Sequence, residues 1–333
     1  MYENIVLGVL FVMFKIFKEK NSTMKLVPQE HIPKNVMLQC LIFLGVFIVS
    51  QIFASIPSFI PMMMSIFSKM SILMDTLNNQ GYTAYMEEVI SIGYTPTIII
   101  LSLYGTILAT AITMLFCKLI ERRPMTSLGF HKKYALKNYL IGCLVGIVLM
   151  SVCVLLSAMF KGISLSLNPN ISWKLFIIYL LGFIFQGASE EVIFRGYFMN
   201  TVASKGRIVL AIILNSVFFG LAHSFNMGLT PLALLNLVLY GIFASIYAIR
   251  FDNIWGVCGI HSFWNFMQGN FWGVQVSGID TSTSIFIADS TSNNNILNGG
   301  DFGLEGSIFV TIILILATVI VLFCKNPTKL VDE

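Results

Sequence analysis

The sequence predicts an all-α fold, a polytopic membrane bundle of about eight transmembrane helices. Three observations lead there. Hydrophobic residues make up 56% of the chain and charged residues 11%, with mean hydropathy +0.84, whereas a soluble domain carries ~25% charged residues. The apolar residues are gathered into separate runs long enough to cross a bilayer, which takes roughly 20 residues each. The loops between those runs alternate in charge, as they do when sorted across a membrane. A net charge of +4 is therefore uninformative as a sum. The lipid bilayer is an expected partner and nucleic acid is not.

Residues 1–35 hold a short apolar run, IVLGVLFVMF (5–14), followed by a basic stretch. A secretory signal has its basic residues before the apolar run, whereas Lys15, Lys18 and Lys20 come after it. A short ninth span or an in-plane helix is expected there rather than a cleaved leader. Residues 36–160 form an N-terminal group of helices, with spans expected at about 36–67, 97–117 and 138–160. The first is over-long and contains Pro57 and Pro61, so a kink or steep tilt is expected. Residues 161–333 hold spans at about 173–203, 207–227, 230–250 and 254–272, and a final one at 307–324.

Lys and Arg cluster at 15–34, 118–137, 205–207, Arg250 and 325–329, which assigns those segments and the C-terminus to the cytoplasm. The alternate loops carry Asp75, Glu87, Glu88, Asp280, Asp289, Asp301 and Glu305, with only Lys69, Lys161 and Lys174 as bases. Segments 68–96, 118–137 and the Ser/Thr/Asn-rich 273–306 read as the longest loops. Positive charge in 118–137 reads as a topology signal, and His31 and His131 as surface residues. All six cysteines occur singly within predicted spans, without framework spacing, and read as small apolar packing residues.

Within the second half, five ionisable residues lie where hydrocarbon is expected: Glu190, Glu191, Arg195, His223 and His261. Each charge at mid-bilayer costs roughly 2.5–3.5 kcal/mol on insertion scales, so such groups face a cavity and pair with one another. Glu191 and Arg195 are four apart, which brings their side chains together on a helix. Glu190 is turned by about 100° from Glu191. The spacing thus assigns Glu191 and Arg195 to mutual neutralisation and leaves Glu190 for a reaction space.

Depth adds a second constraint. Glu190 lies fifteen residues before Lys205 and His223 sixteen after Arg207. On antiparallel helices rising about 1.5 Å per residue, the two reach nearly the same level and can share a water. His261 and Asn265, also four apart, present an imidazole and a carboxamide from one face, two donors suited to a developing oxyanion. His261 stands only nine residues after Asp252, nearer the cytoplasmic face than Glu190 by this count. Each residue also has a structural reading: a Glu–Arg pair as interhelical glue or an ion path, a buried histidine as a satisfied helix contact, Phe219 as packing, and Gly187, Gly196 and Gly220 as sites of close helix approach.

The ordered set Glu190-Glu191-xxx-Arg195, Phe219-xxx-His223 and His261-xxx-Asn265 resembles the CPBP family of intramembrane proteases, which takes in the type II CAAX prenyl endopeptidases and the bacterial Abi proteins linked to bacteriocin self-immunity. The resemblance covers about 173–272. It implies that Glu190 and His223 activate the attacking water, that His261 and Asn265 stabilise the oxyanion, and that Glu191 and Arg195 shape the site. It further implies a membrane-embedded or lipid-anchored peptide or protein as substrate, and a bacterial cell membrane as location. A metal-free mechanism is the favoured expectation. If zinc is used, Glu190, His223 and His261 form a plausible ligand set. The rival expectations are a non-proteolytic immunity or scaffold protein and a proton-coupled transporter, the last disfavoured because no inverted pair of interrupted helices is evident.

Overall fold

The structure is a computed structural model that describes residues 15–291 and 294–324. The expectation of a span or in-plane helix at 5–14 falls outside those residues, as does the basic segment 325–329.

After a one-turn helix α1 (Ser22–Lys25), the long α2 (Val36–Ser68) begins at Asn35, whose side chain accepts from the Met37 and Leu38 amides. Helix α2 stays helical through Pro57 and Pro61. Its outward residues, among them Ile48, Ile52, Phe59 and Ile60, are exposed, the inside-out pattern of a helix solvated by lipid. Segment 68–96, expected as a loop, instead forms α3 (Met70–Gln80) and α4 (Tyr82–Gly93). Then come α5 (Pro96–Leu119), α6 (Ala135–Met159), α7 (Trp173–Glu191), α8 (Ile208–Ala222), α9 (Pro231–Phe251), α10 (Trp255–Phe266) and α11 (Ile308–Phe323).

The all-α membrane bundle stands. Among the described residues, five helices are long and apolar enough to cross a bilayer: α2, α5, α6, α9 and the run Trp173–Ala203 that continues α7. Helices α8 and α11 are apolar but shorter than 18 residues, and α10 has twelve.

Residues Ile163–Leu167 (β1) pair antiparallel with Phe286–Ser290 (β2). The outer segment 273–306 is therefore tied down at one edge rather than freely solvated. The pairing of Ile163 with Ser290 and of Leu167 with Phe286 joins segments far apart in the chain and leaves no local signature to read.

Helix α10 lies at the centre, with every residue but Trp255 and Phe263 buried. Its position depends on missing side chains. A Cβ on Gly142 of α6 would lie 2.0 Å from the Gly256 carbonyl oxygen, and one on Gly187 of α7 would lie 2.6 Å from the Ser262 amide nitrogen. Both α6 and α7 therefore touch α10 backbone to backbone, which only glycine permits.

The basic segment 118–137 is built in rather than merely charged. Arg123, with a fully buried side chain, bonds Glu121 Oε2 at 3.1 Å, Thr201 Oγ1 at 2.9 Å and the Gly196 carbonyl at 3.0 Å. The Ile254 amide donates to the Gly129 carbonyl, and Trp255 Nε1 to that of His131. His131 is half-buried and its Nε2 lies 2.8 Å from Thr23 Oγ1, so it is not an ordinary surface histidine. His31 is exposed. These contacts cover the α9–α10 turn.

Candidate active site

Helix α7 delivers the carboxylates. It is α-helical to Glu191 and then passes into a π-helix over Val192–Met199, every residue of which is buried. A π turn widens the repeat and is commonly found at functional sites. It also releases backbone carbonyls from the ordinary ladder. Those of Gly196 and Tyr197 are taken up by Arg123, Asn200 and Thr201 side chains.

The expected pairing within this helix is present. Arg195 Nη1 donates to Glu191 Oε1 at 3.0 Å, with both side chains fully buried. The same oxygen is 2.8 Å from His261 Nδ1. Because a carboxylate only accepts, His261 Nδ1 is the donor and its Nε2 is turned toward Glu190. The guanidinium carbon of Arg195 stands 4.4 Å from the Phe219 ring centre, a cation–π contact that assists a cation Glu191 neutralises from one side only.

Glu190 points the other way, as its 100° offset requires. Its Oε2 lies 3.9 Å from His223 Nε2 and 3.7 Å from His261 Nε2. His223 caps α8, and its Nδ1 is 2.8 Å from the Phe219 carbonyl. That carbonyl can only accept, so Nδ1 carries the proton and Nε2 presents a lone pair. Both imidazoles thus direct Nε2 at one carboxylate oxygen. Phe219 packs between them, 4.9 Å from the His223 ring and 6.0 Å from that of His261. It is therefore part of the wall that orients both.

Asn265 reaches the site through a residue the sequence reading missed. Its Nδ2 donates to Gln186 Oε1 at 2.9 Å, and Gln186 Nε2 donates to Glu190 Oε1 at 2.6 Å. Gln186 sits one helical turn before Glu190, and that i−4 spacing was the available signal. Tyr240 of α9 was missed as well. It is buried, with its ring 5.1 Å from the His261 ring. No motif marks it, since it is one of many aromatics in an apolar helix.

Gln186, Glu190, Phe219, His223, Tyr240, His261 and Asn265 line one cavity of about 310 Å³, bounded by α2, α5, α7, α8, α9, α10 and α11 together with loop residues Asn226, Ser277 and Glu305; Glu191 and Arg195 stand behind its wall. Glu190 Oε2 has no hydrogen-bond partner among the described residues, so this oxygen is free for a ligand of the cavity. Zinc ligands at about 2.0–2.1 Å in a tetrahedron stand ~3.3 Å apart. The 3.7 and 3.9 Å separations are wider. Among the described residues no group of three or more His, Cys, Asp or Glu is arranged to hold a metal ion. The Glu190, His223 and His261 set does not fit zinc in this arrangement.

The fold and site define a class: a helical integral membrane protein with a carboxylate–imidazole centre in an intramembrane cavity. Residues 172–267 match the family model described as type II CAAX prenyl endopeptidase Rce1-like, and over that segment the chain is similar to the CAAX-type protease family, as its motifs anticipated. The match takes in every residue named above from Gln186 to Asn265. No curated protein and no solved structure matches the chain.

Proposed function

We propose that this protein is an intramembrane endopeptidase that hydrolyses peptide bonds of a membrane-associated or lipid-linked protein or peptide, using a water activated by Glu190 and His223. The observation that carries the proposal is the convergence of two imidazole Nε2 atoms on Glu190 Oε2 from separate helices, each imidazole held by its own Nδ1 partner.

Two atoms 3.7–3.9 Å apart can both hydrogen-bond one water at about 2.8 Å. In the reaction this water loses a proton to Glu190 or His223 as its oxygen bonds to the substrate carbonyl carbon. The tetrahedral oxyanion is met by His261 Nε2–H, with the imidazole doubly protonated and its Nδ1–H on Glu191, and by the Asn265 N–H that Gln186 does not use. The C–N bond then breaks and the abstracted proton passes to the departing amine. A positioned base contributes typically 10²–10⁴-fold, and one oxyanion donor about 10²–10³-fold. Glu191 serves Arg195 and His261 at once, so it links the charge balance of the helix to the orientation of the imidazole.

Loop charges support a cytoplasmic C-terminus, and the Abi-like resemblance supports a bacterial cell membrane. The test is a comparison of membrane peptidomes from cells carrying wild type and Glu190→Gln. Cleavage products present only with wild type support the reading and report the substrate. Identical peptidomes at equal protein levels defeat it.

A further inference from the structure

Residues 21–34, which precede α2, are packed onto the bundle rather than merely charged. Met24, Val27 and Ile32 are buried, and Lys205 Nζ and Arg207 Nη1 donate to the Gln29 and Lys34 carbonyls. Asp252, left-handed at φ +52° in the α9–α10 turn, latches the start of this segment. Its carboxylate accepts from the amides of Ser22 and Thr23 at 3.0 and 3.1 Å and from both hydroxyls, that of Thr23 at 2.8 Å. Residues 21–34 thus form a strap fixed at both ends.

Beneath the strap lies a gap of about 10 Å³, close to the least space that admits one water. Asn21 and Thr23 of the strap line it together with Arg195, Asn200 and Asn253. The Asn200 and Asn253 amides donate to backbone carbonyls, and Asn253 Oδ1 accepts from the Gly256 amide. Arg195 differs. Its Nη1 is on Glu191, while the buried Nε and Nη2 have no partner among the described residues. Buried polar groups are as a rule hydrogen-bonded, and internal water is the usual partner of those the chain leaves over.

We propose that this gap is a hydration site holding one water on the Arg195 guanidinium, and that the strap is a lid that keeps bulk water from the Glu191–Arg195 pair. The consequence reaches the reaction cavity through Glu191, whose Oε1 holds Arg195 and His261 at once. A single bound water supplies a missing partner and leaves the ion pair in a medium of low dielectric, where its attraction is strong. Bulk water screens the pair and hydrates the guanidinium, which frees the Glu191 carboxylate to turn away from His261 Nδ1. Asp252 is therefore a positioning residue that acts at a distance: neither it nor Ser22 or Thr23 is among the described residues lining the Glu190 cavity. The kinetic part of this inference rests on the hydrolytic reading above; the hydration site does not.

The test uses the purified full-length chain in mixed micelles with Ala248→Cys, which places a thiol at the gap. Adding Asp252→Asn suits the left-handed backbone and replaces one acceptor oxygen by a donor. Because bonds to a charged group are the stronger kind, modification of that thiol by a small charged methanethiosulfonate should rise roughly tenfold or more. The buried Cys153 should stay unmodified, which separates opening of the lid from unfolding. On a substrate found by peptidomics, kcat should fall by roughly tenfold while KM stays within about twofold, the sign of a lost transition-state contact. If Asp252→Asn exposes Cys153, the pair Ser22→Ala/Thr23→Val, which keeps the carboxylate, is read in the same way. A high-resolution density map should show one water about 2.9 Å from Arg195 Nε or Nη2. Unchanged labelling, raised labelling with wild-type kcat, or a dry gap overturns the inference. Cleavage that is equal for wild type and Glu190→Gln overturns the hydrolytic reading instead, and labelling and density, which need no substrate, still decide the lid and its water.

Discussion

The Glu191–Arg195 pair yields a double test in which stability and activity part company. Among the described residues Glu191 Oε1 is the only acceptor for Arg195 Nη1, and both side chains are fully buried. Arg195 Nε and Nη2 have no hydrogen-bond partner among the described residues. Replacing Glu191 by Gln leaves a buried guanidinium without its counter-charge, and Arg195→Met leaves a buried carboxylate. Breaking such a pair from one side costs roughly 3–5 kcal/mol, whereas replacing both members by apolar groups of similar volume is often neutral or stabilising. The double variant Glu191→Leu/Arg195→Met should therefore be more stable than either single variant, with a coupling energy of several kcal/mol. Activity should stay lost, because His261 Nδ1 no longer has its acceptor at 2.8 Å. The assay is reversible unfolding in mixed micelles beside cleavage of a substrate found by peptidomics. A double variant as unstable as the two singles summed would refute the mutual neutralisation, and one that regains wild-type activity would refute the role given to Glu191 in holding His261.

Three further outcomes are expected. Gly142→Ala puts a methyl 2.0 Å from the Gly256 carbonyl oxygen and should cost roughly 1–3 kcal/mol of unfolding free energy. Gly45→Ala in α2 meets nothing within 4 Å and should be neutral or stabilising by about 0.5–1 kcal/mol; equal effects at the two glycines would contradict the close α6–α10 contact. Arg123→Leu removes the donor to the Gly196 carbonyl and the partner of Glu121, so amide exchange across 192–199 should speed up before that of α9, which hydrogen-exchange mass spectrometry can follow. Phe219→Leu keeps the apolar volume but removes the ring beneath Arg195 and between the two imidazoles. Its stability should fall by about 0.5–2 kcal/mol, and kcat should fall more than KM rises.

The membrane class was legible because bilayer solvation acts on composition and run length, both of which a sequence displays. The Glu191–Arg195 contact and the outward turn of Glu190 were legible because i, i+4 geometry is local. The meeting of Glu190 with His223 followed from depth counted along two antiparallel helices. Three kinds of feature escaped. The π-helix at 192–199 has no spacing signature, since the apolar pattern of VIFRGYFM suits an α-helix equally well. Helices α3 and α4 read as loop because Lys69, Asp75, Glu87 and Glu88 interrupt the apolar run, although polar residues are no bar to a helix lying outside the hydrocarbon. Arg123 was read as a topology charge because its partners, Gly196 and Thr201, are more than seventy positions away. Long-range contacts decided the last of these, and a single sequence does not record them.

Everything proposed for this site turns on whether a water held at Glu190 adds to a peptide carbonyl. The direct measurement is single-turnover cleavage by purified protein in isotopically labelled water, with mass analysis of the new C-terminus. Wild type should place one labelled oxygen in that carboxylate, and Glu190→Gln, equally folded, should yield no product. Labelled product from Glu190→Gln at the wild-type rate would contradict the assignment.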